Sequence, residues 1–110
     1  MDIYPLQVKL DKGGIPKLIS LLEQMAASSP TKETILVADD EASIRRILET
    51  RLSMIGYRVV TASDGKEALK LFRDYEPDLV VLDVMMPKLD GYGVCQELRK
   101  DSDVPIVMLT

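Results

Sequence analysis

Two short apolar runs in this chain each end on carboxylates. Asp78-Leu79-Val80-Val81-Leu82-Asp83-Val84-Met85-Met86-Pro87 carries Asp83 out of its C-terminal end, and Ile35-Leu36-Val37-Ala38 leads directly into Asp39-Asp40. If both runs are parallel strands of one sheet, three carboxylates converge at the same edge. Carboxylates held that close repel one another and raise each other's proton affinity, so the cluster needs a compensating charge. A hard divalent cation supplies it, and Mg2+ prefers a few carboxylate oxygens together with water and phosphate. Beside such a metal Asp83 can attack a phosphoryl group as a carboxylate nucleophile. The metal then offsets the charge that builds on the transferred oxygens. Taken singly, each aspartate is ordinarily a helix cap or a solvated group, and Asp40 can simply cap the helix that follows it. Thr110 closes another apolar run, Ile106-Val107-Met108-Leu109. Its hydroxyl can reach a phosphoryl oxygen, or it is only a β-branched residue ending a strand. The pattern leaves both readings open.

The elements that must hold these groups follow a regular alternation from residue 34 onward. Ile35–Ala38 reads as a buried strand. Ile44, Ile47, Leu48, Leu52 and Ile55 keep a helical spacing, with Asp40 or Ser43 as cap and Gly56 as the stop. Val59–Ala62 is a second strand. Asp64 and Glu67 match a capping box for a helix whose inward face is Ala68, Leu69, Phe72 and Tyr75. Leu79–Asp83 is the third strand, a helix spans about Gly91–Lys100, and Ile106–Leu109 is the fourth strand. Strands separated by amphipathic helices call for a doubly wound parallel α/β sheet covered on both faces. Ligands of such sheets bind beyond the carboxyl ends of the strands, where Asp39, Asp40, Asp83 and Thr110 all lie.

Residues 1–16 are weakly patterned, with Pro5, Gly13-Gly14 and Pro16 as breakers. Leu18, Leu21, Leu22 and Met25 then form the stripe of a short amphipathic helix, and Ser28-Ser29-Pro30-Thr31 reads as a linker. The division is therefore an N-terminal extension, 1–30, and a domain at 33–110. The helix is either a partner-binding or dimerisation element, or an extension that packs loosely; the second is the expectation.

Composition narrows the function classes. The chain has 110 residues, 46% hydrophobic and 29% charged, which fits one small globular domain. No apolar run approaches the roughly 20 residues of a membrane span, and no secretory leader pattern is expected at the N-terminus. A net charge of −4 disfavours direct nucleic-acid binding. The single Cys95 suits a reducing compartment and reads as a core thiol. With no histidine, histidine zinc sites and Ser-His-Asp chemistry are excluded. No glycine-rich phosphate loop is present, so nucleotide binding is disfavoured.

Val37-Ala38-Asp39-Asp40-Glu41, Leu82-Asp83-Val84-Met85-Met86-Pro87-Lys88-Leu89-Asp90-Gly91 and Ile106-Val107-Met108-Leu109-Thr110 resemble the receiver domain of two-component response regulators. The resemblance covers about residues 33–110 and implies a flavodoxin-like fold. It implies that Asp83 is the phosphoacceptor for a sensor histidine kinase, and that Asp40 and Asp83 bind Mg2+. Asp39 would act mainly through water, the Met85 carbonyl would be a backbone ligand, and Thr110 would be the switch hydroxyl. The domain would be a signalling element in the bacterial cytoplasm or plastid stroma, not an enzyme beyond its own phosphorylation and dephosphorylation. The Met-Met-Pro loop is most similar to receivers that precede a winged-helix DNA-binding domain. Ser43–Gly56 and Asp83–Leu98 resemble the cyanobacterial and plastid regulators of phycobilisome association.

Receivers of this kind continue past the threonine through a further helix, strand and helix, with a lysine after the fifth strand that pairs with the phosphoryl group. The chain ends at Thr110, so the expectation is a fragment of a longer regulator, in preference to an N-terminal helix that substitutes for the missing cover or a poorly folded product. In that fragment the fourth strand would be an open edge and the phosphoryl-reading cation would be missing. DNA binding would need an output domain outside these residues. Two other classes remain beside the phosphoacceptor. An aspartyl-phosphate hydrolase would carry a second aspartate two residues after its nucleophile, where this chain has Met85. A non-phosphorylated module would bind a kinase or partner through the first receiver helix, and dimerisation stays an open reading.

Overall fold

The computed structural model describes residues 7–27 and 33–110. Pro5 and the expected linker Ser28–Thr31 lie outside them. Five strands form one parallel sheet in the order β1-β5-β4-β2-β3, comprising Gln7–Leu10 (β1), Thr34–Ala38 (β2), Arg58–Ala62 (β3), Leu79–Asp83 (β4) and Ile106–Leu109 (β5). The helices are Ile15–Ala27 (α1), Ala42–Ile55 (α2), Gly65–Tyr75 (α3) and Gly91–Arg99 (α4).

Strand alternation divides the core into two layers. Ile35, Val37, Val81, Val107 and Leu109 pack with Leu18, Ile19 and Leu22 of α1 and Leu48 and Leu52 of α2. Leu36, Ala38, Val80, Leu82, Ile106 and Met108 face the other way, against Ala68 of α3 and Val94, Cys95 and Leu98 of α4. This is the doubly wound architecture expected, and the strands at 79–83 and 106–109 fall where the sequence placed them. Asp64 caps α3 by accepting from the Glu67 N–H at 2.8 Å, while the Glu67 carboxylate accepts from the Ser63 N–H at 2.7 Å. Gly56 ends α2 at φ +123°, as its position suggested.

The N-terminal residues depart from expectation. β1 pairs in parallel with β5 in the register Gln7↔Ile106 to Leu10↔Leu109, and the Thr110 N–H donates to the Leu10 carbonyl at 2.9 Å. The edge of Ile106–Leu109 is therefore covered, not open. Nor is α1 loosely packed. Ile15, Leu18, Ile19 and Leu22 are buried, and the Tyr57 hydroxyl donates to the Leu22 carbonyl at 2.7 Å. The buried stripe differs from the one read in the sequence: α1 begins at Ile15, and Leu21 and Met25 are about half exposed. Both stripes have the i, i+3, i+4, i+7 spacing, and the sheet selects the one that starts three residues earlier. Elsewhere, Glu41 takes the cap position of α2 without a side-chain bond, and Ile47 and Tyr75 lie at the surface.

Candidate functional site

β2 and β4 are neighbours in the sheet, with Ala38 paired to Leu82, so the next residue of each, Asp39 and Asp83, emerge side by side. The helices that follow these two strands lie on opposite faces, the arrangement that opens a crevice beyond the carboxyl ends. Asp39 and Asp83 are buried while Asp40 is exposed, and one carboxylate oxygen from each lies within 4.8 Å of the other two. The convergence expected from the two apolar runs is present.

Each buried carboxylate is held by the backbone two residues on. The Glu41 N–H donates to Asp39 Oδ1 at 2.9 Å, and the Met85 N–H donates to Asp83 Oδ1 at 3.1 Å. Neither backbone bond uses the second oxygen of its carboxylate. Gly91 holds the α4 terminus close to this strand. A Cβ there would lie 2.5 Å from the Asp83 carbonyl oxygen, which leaves no room for a side chain. An open depression lined by Asp40, Met85, Met86, Pro87 and Asp90 adjoins the cluster.

Lys12 was not among the sequence candidates. It follows β1 and starts the 3-10 turn Lys12–Gly14 that leads into α1. Its Nζ lies 2.6 Å from Glu41 Oε1, 3.3 Å from Asp83 Oδ2 and 3.5 Å from Asp39 Oδ2. The expected absence of a cation beside Asp83 is thus corrected: a lysine after an edge strand stands there, supplied from the opposite end of the chain. Partial burial by itself would lower the Lys12 pKa. The hydrogen bond to Glu41 and the charges of Asp39 and Asp83 outweigh it, so the ammonium is held above the ordinary lysine range.

Asp39 titrates in the other sense. Burial pushes its carboxyl up, the Asp83 charge adds to this, and the Glu41 N–H and Lys12 oppose it incompletely. Among the described residues, Asp39 Oδ2 is the buried side-chain oxygen that accepts no hydrogen bond. A buried acceptor with no hydrogen bond, with the Lys12 ammonium at 3.5 Å and two further carboxylates beside it, suits a divalent cation that brings its own positive charge.

The remaining candidates sit nearby in different ways. Met85 is largely exposed and touches Asp83 through its N–H. Thr110 follows β5 directly, with its hydroxyl 3.5 Å from the Leu10 carbonyl. Cys95 is buried in α4, where its thiol donates to Gln7 Oε1 at 3.2 Å, in keeping with a core role.

Residues 35–110 match the response regulator receiver domain family. The chain belongs to that family. It is 79% identical over 80 residues to a "Probable transcriptional regulator ycf27" of Guillardia theta, covering 73% of this chain and 32% of that protein. It is 57% identical over 77 residues to the "Alkaline phosphatase synthesis transcriptional regulatory protein PhoP" of Bacillus subtilis (strain 168), covering 69% and 32%. The chain thus spans about a third of the length of these curated relatives. Among solved structures it resembles the N-terminal domain of a response regulator receiver protein from Methanoculleus marisnigri JR1. The TM-score there is 0.68 at 38% identity, over 73% of this chain and 68% of that one. Lys12 lies outside the family-matched residues, and among the described residues no helix is long and apolar enough to cross a membrane.

Proposed function

We propose that this receiver accepts a phosphoryl group on Asp83 from a sensor histidine kinase, with Mg2+ bound by Asp39, Asp40 and Asp83. The observation that carries the reading is the buried pair Asp39 and Asp83 with its orphaned oxygen, at the strand ends and beside Lys12. The metal supplies positive charge for the transferred oxygens. In the transfer, an Asp83 carboxylate oxygen forms the new bond to phosphorus as the bond from phosphorus to the donor imidazole nitrogen breaks. The electron pair leaves with that nitrogen, and no oxidant or reductant takes part. The Met85 N–H holds the other Asp83 oxygen and so orients the nucleophile. Lys12 faces the position the phosphoryl would occupy and takes the role of the lysine that the resemblance implies.

Thr110 is assigned the switch hydroxyl, and Met85 a metal contact through its carbonyl, on the resemblance alone. In the relatives named as transcriptional regulators, the matching third of the chain would control an output segment, so regulation of transcription is proposed for a longer protein of this kind. Location in a bacterial cytoplasm or plastid stroma is proposed on the same ground. Incubation with Mg2+ and a small acyl phosphate, followed by intact-mass measurement, tests the phosphoacceptor. The expected result is one added phosphoryl group, lost in Asp83→Ala; addition that persists in Asp83→Ala would sink the assignment.

A further inference from the structure

Residues 7–27 lie outside the family-matched stretch, yet they complete both the sheet and the site. Most of what docks them is indifferent to the state of Asp83. Four residue pairs join β1 to β5, and α1 buries Ile15, Leu18, Ile19 and Leu22. On the opposite face, Gln7 Oε1 accepts from Cys95 and Arg99, and the Lys9 ammonium lies 5.0 Å from the Tyr92 ring centroid. Lys12 differs. It is the point where this unit meets the carboxylates, and its three partners, Asp39, Asp83 and Glu41, all belong to the rest of the chain.

We propose that docking of residues 7–27 onto the edge of β5 is coupled through Lys12 to the phosphorylation of Asp83. The inference rests on the phosphoacceptor reading and adds the element that responds to it. A divalent cation at Asp39, Asp40 and Asp83 places positive charge beside an ammonium now 3.3–3.5 Å from two of those carboxylates, which weakens the Lys12 contact. A phosphoryl group on Asp83 reverses the balance. It brings up to two negative charges and three acceptor oxygens to the atom Lys12 already faces. The N-terminal unit is therefore loosest with metal alone and tightest with metal and phosphoryl together. Linkage requires the converse: a docked unit strengthens binding of a non-covalent phosphoryl mimic.

Amide hydrogen exchange of the full 110-residue chain, read on peptides covering residues 7–27, tests this. It is run in Mg2+ alone and in Mg2+ with a small acyl phosphate, with intact mass followed in parallel. On phosphorylation, exchange across 7–27 should slow about tenfold, a change of ~1.4 kcal/mol in local opening. Peptides covering β2 should change less. Compared at equal mass gain, Lys12→Met should lose the slowing and Lys12→Arg should retain it. Mass gain with no change across 7–27, or equal slowing in Lys12→Met, overturns the coupling while leaving the phosphoacceptor reading intact. Absence of any mass gain overturns both. If Lys12→Met does not fold, the wild type and Lys12→Arg decide: slowing in both supports the coupling, and slowing in neither defeats it.

Discussion

At the scale of single residues, Asp39 would set the terms of the proposed metal binding. Its carboxyl is pushed up mainly by burial, so the folded, metal-free protein holds this proton more tightly than the unfolded chain. In the metal-free protein the burial costs stability at neutral pH, and the cost is relieved as pH falls through the raised value. Mg2+ held at this site would reverse this, because the metal requires the ionised form. The melting temperature gained on adding Mg2+ should thus be larger at neutral pH than in acid. Below the raised value, apparent affinity should fall roughly tenfold per pH unit. Asp39→Asn should weaken Mg2+ binding and flatten that dependence; a gain independent of pH in the wild type would contradict it. The three aspartates were legible from sequence because strand ends are. An apolar run of four or five residues with a carboxylate on its tip fixes which end of the sheet the charge occupies. Lys12 was not legible, since nothing in Asp11-Lys12-Gly13-Gly14 indicates that it faces residues some 30 to 70 positions away.

At the scale of elements, α1 shows how much of a helix is decided by what it packs against. Its sequence offers two apolar stripes. The sheet buries Ile15, Leu18, Ile19 and Leu22 and leaves Leu21 and Met25 about half exposed. Leu18→Ala should therefore destabilise the protein by about 2–5 kcal/mol, the range for a buried leucine that leaves a cavity. Leu21→Ala should cost well under half as much. Denaturant unfolding of the two variants separates them, and equal costs would mean that the buried face is misassigned. β1 escaped the sequence reading for a related reason. Gln7-Val8-Lys9-Leu10 is short and half polar, lying among breakers, and becomes a strand only because β5 offers it a parallel partner. Its polar side chains are used: Gln7 and Lys9 fall on the α4 face, where they meet Cys95, Arg99 and Tyr92.

At the scale of the whole molecule, residues 7–10 extend the sheet past β5. From residue 34 onward the strand-and-helix alternation was enough to place four strands, three helices and the switch point. That pattern could not show what covers β5, because the answer depends on a tertiary pairing between residues 7–10 and 106–109. Deleting residues 1–27 should expose the β5 edge together with Leu48, Val107 and Leu109, which share a core layer with α1. An unpaired parallel edge and an uncovered apolar layer together invite association. The shortened protein should lose its cooperative thermal transition or sediment as aggregates. A monomer that still unfolds cooperatively at the same temperature would show that the N-terminal unit is dispensable to the fold.

The central claim is that Asp83 forms the phosphoryl bond, and chemical trapping tests it most directly. After incubation with Mg2+ and a small acyl phosphate, borohydride reduces an aspartyl phosphate to homoserine, which peptide mass spectrometry locates in the chain. The expected result is homoserine at position 83, dependent on Mg2+ and absent when the donor is omitted. Homoserine at another carboxylate, or none anywhere in a protein that stays folded, would contradict the assignment.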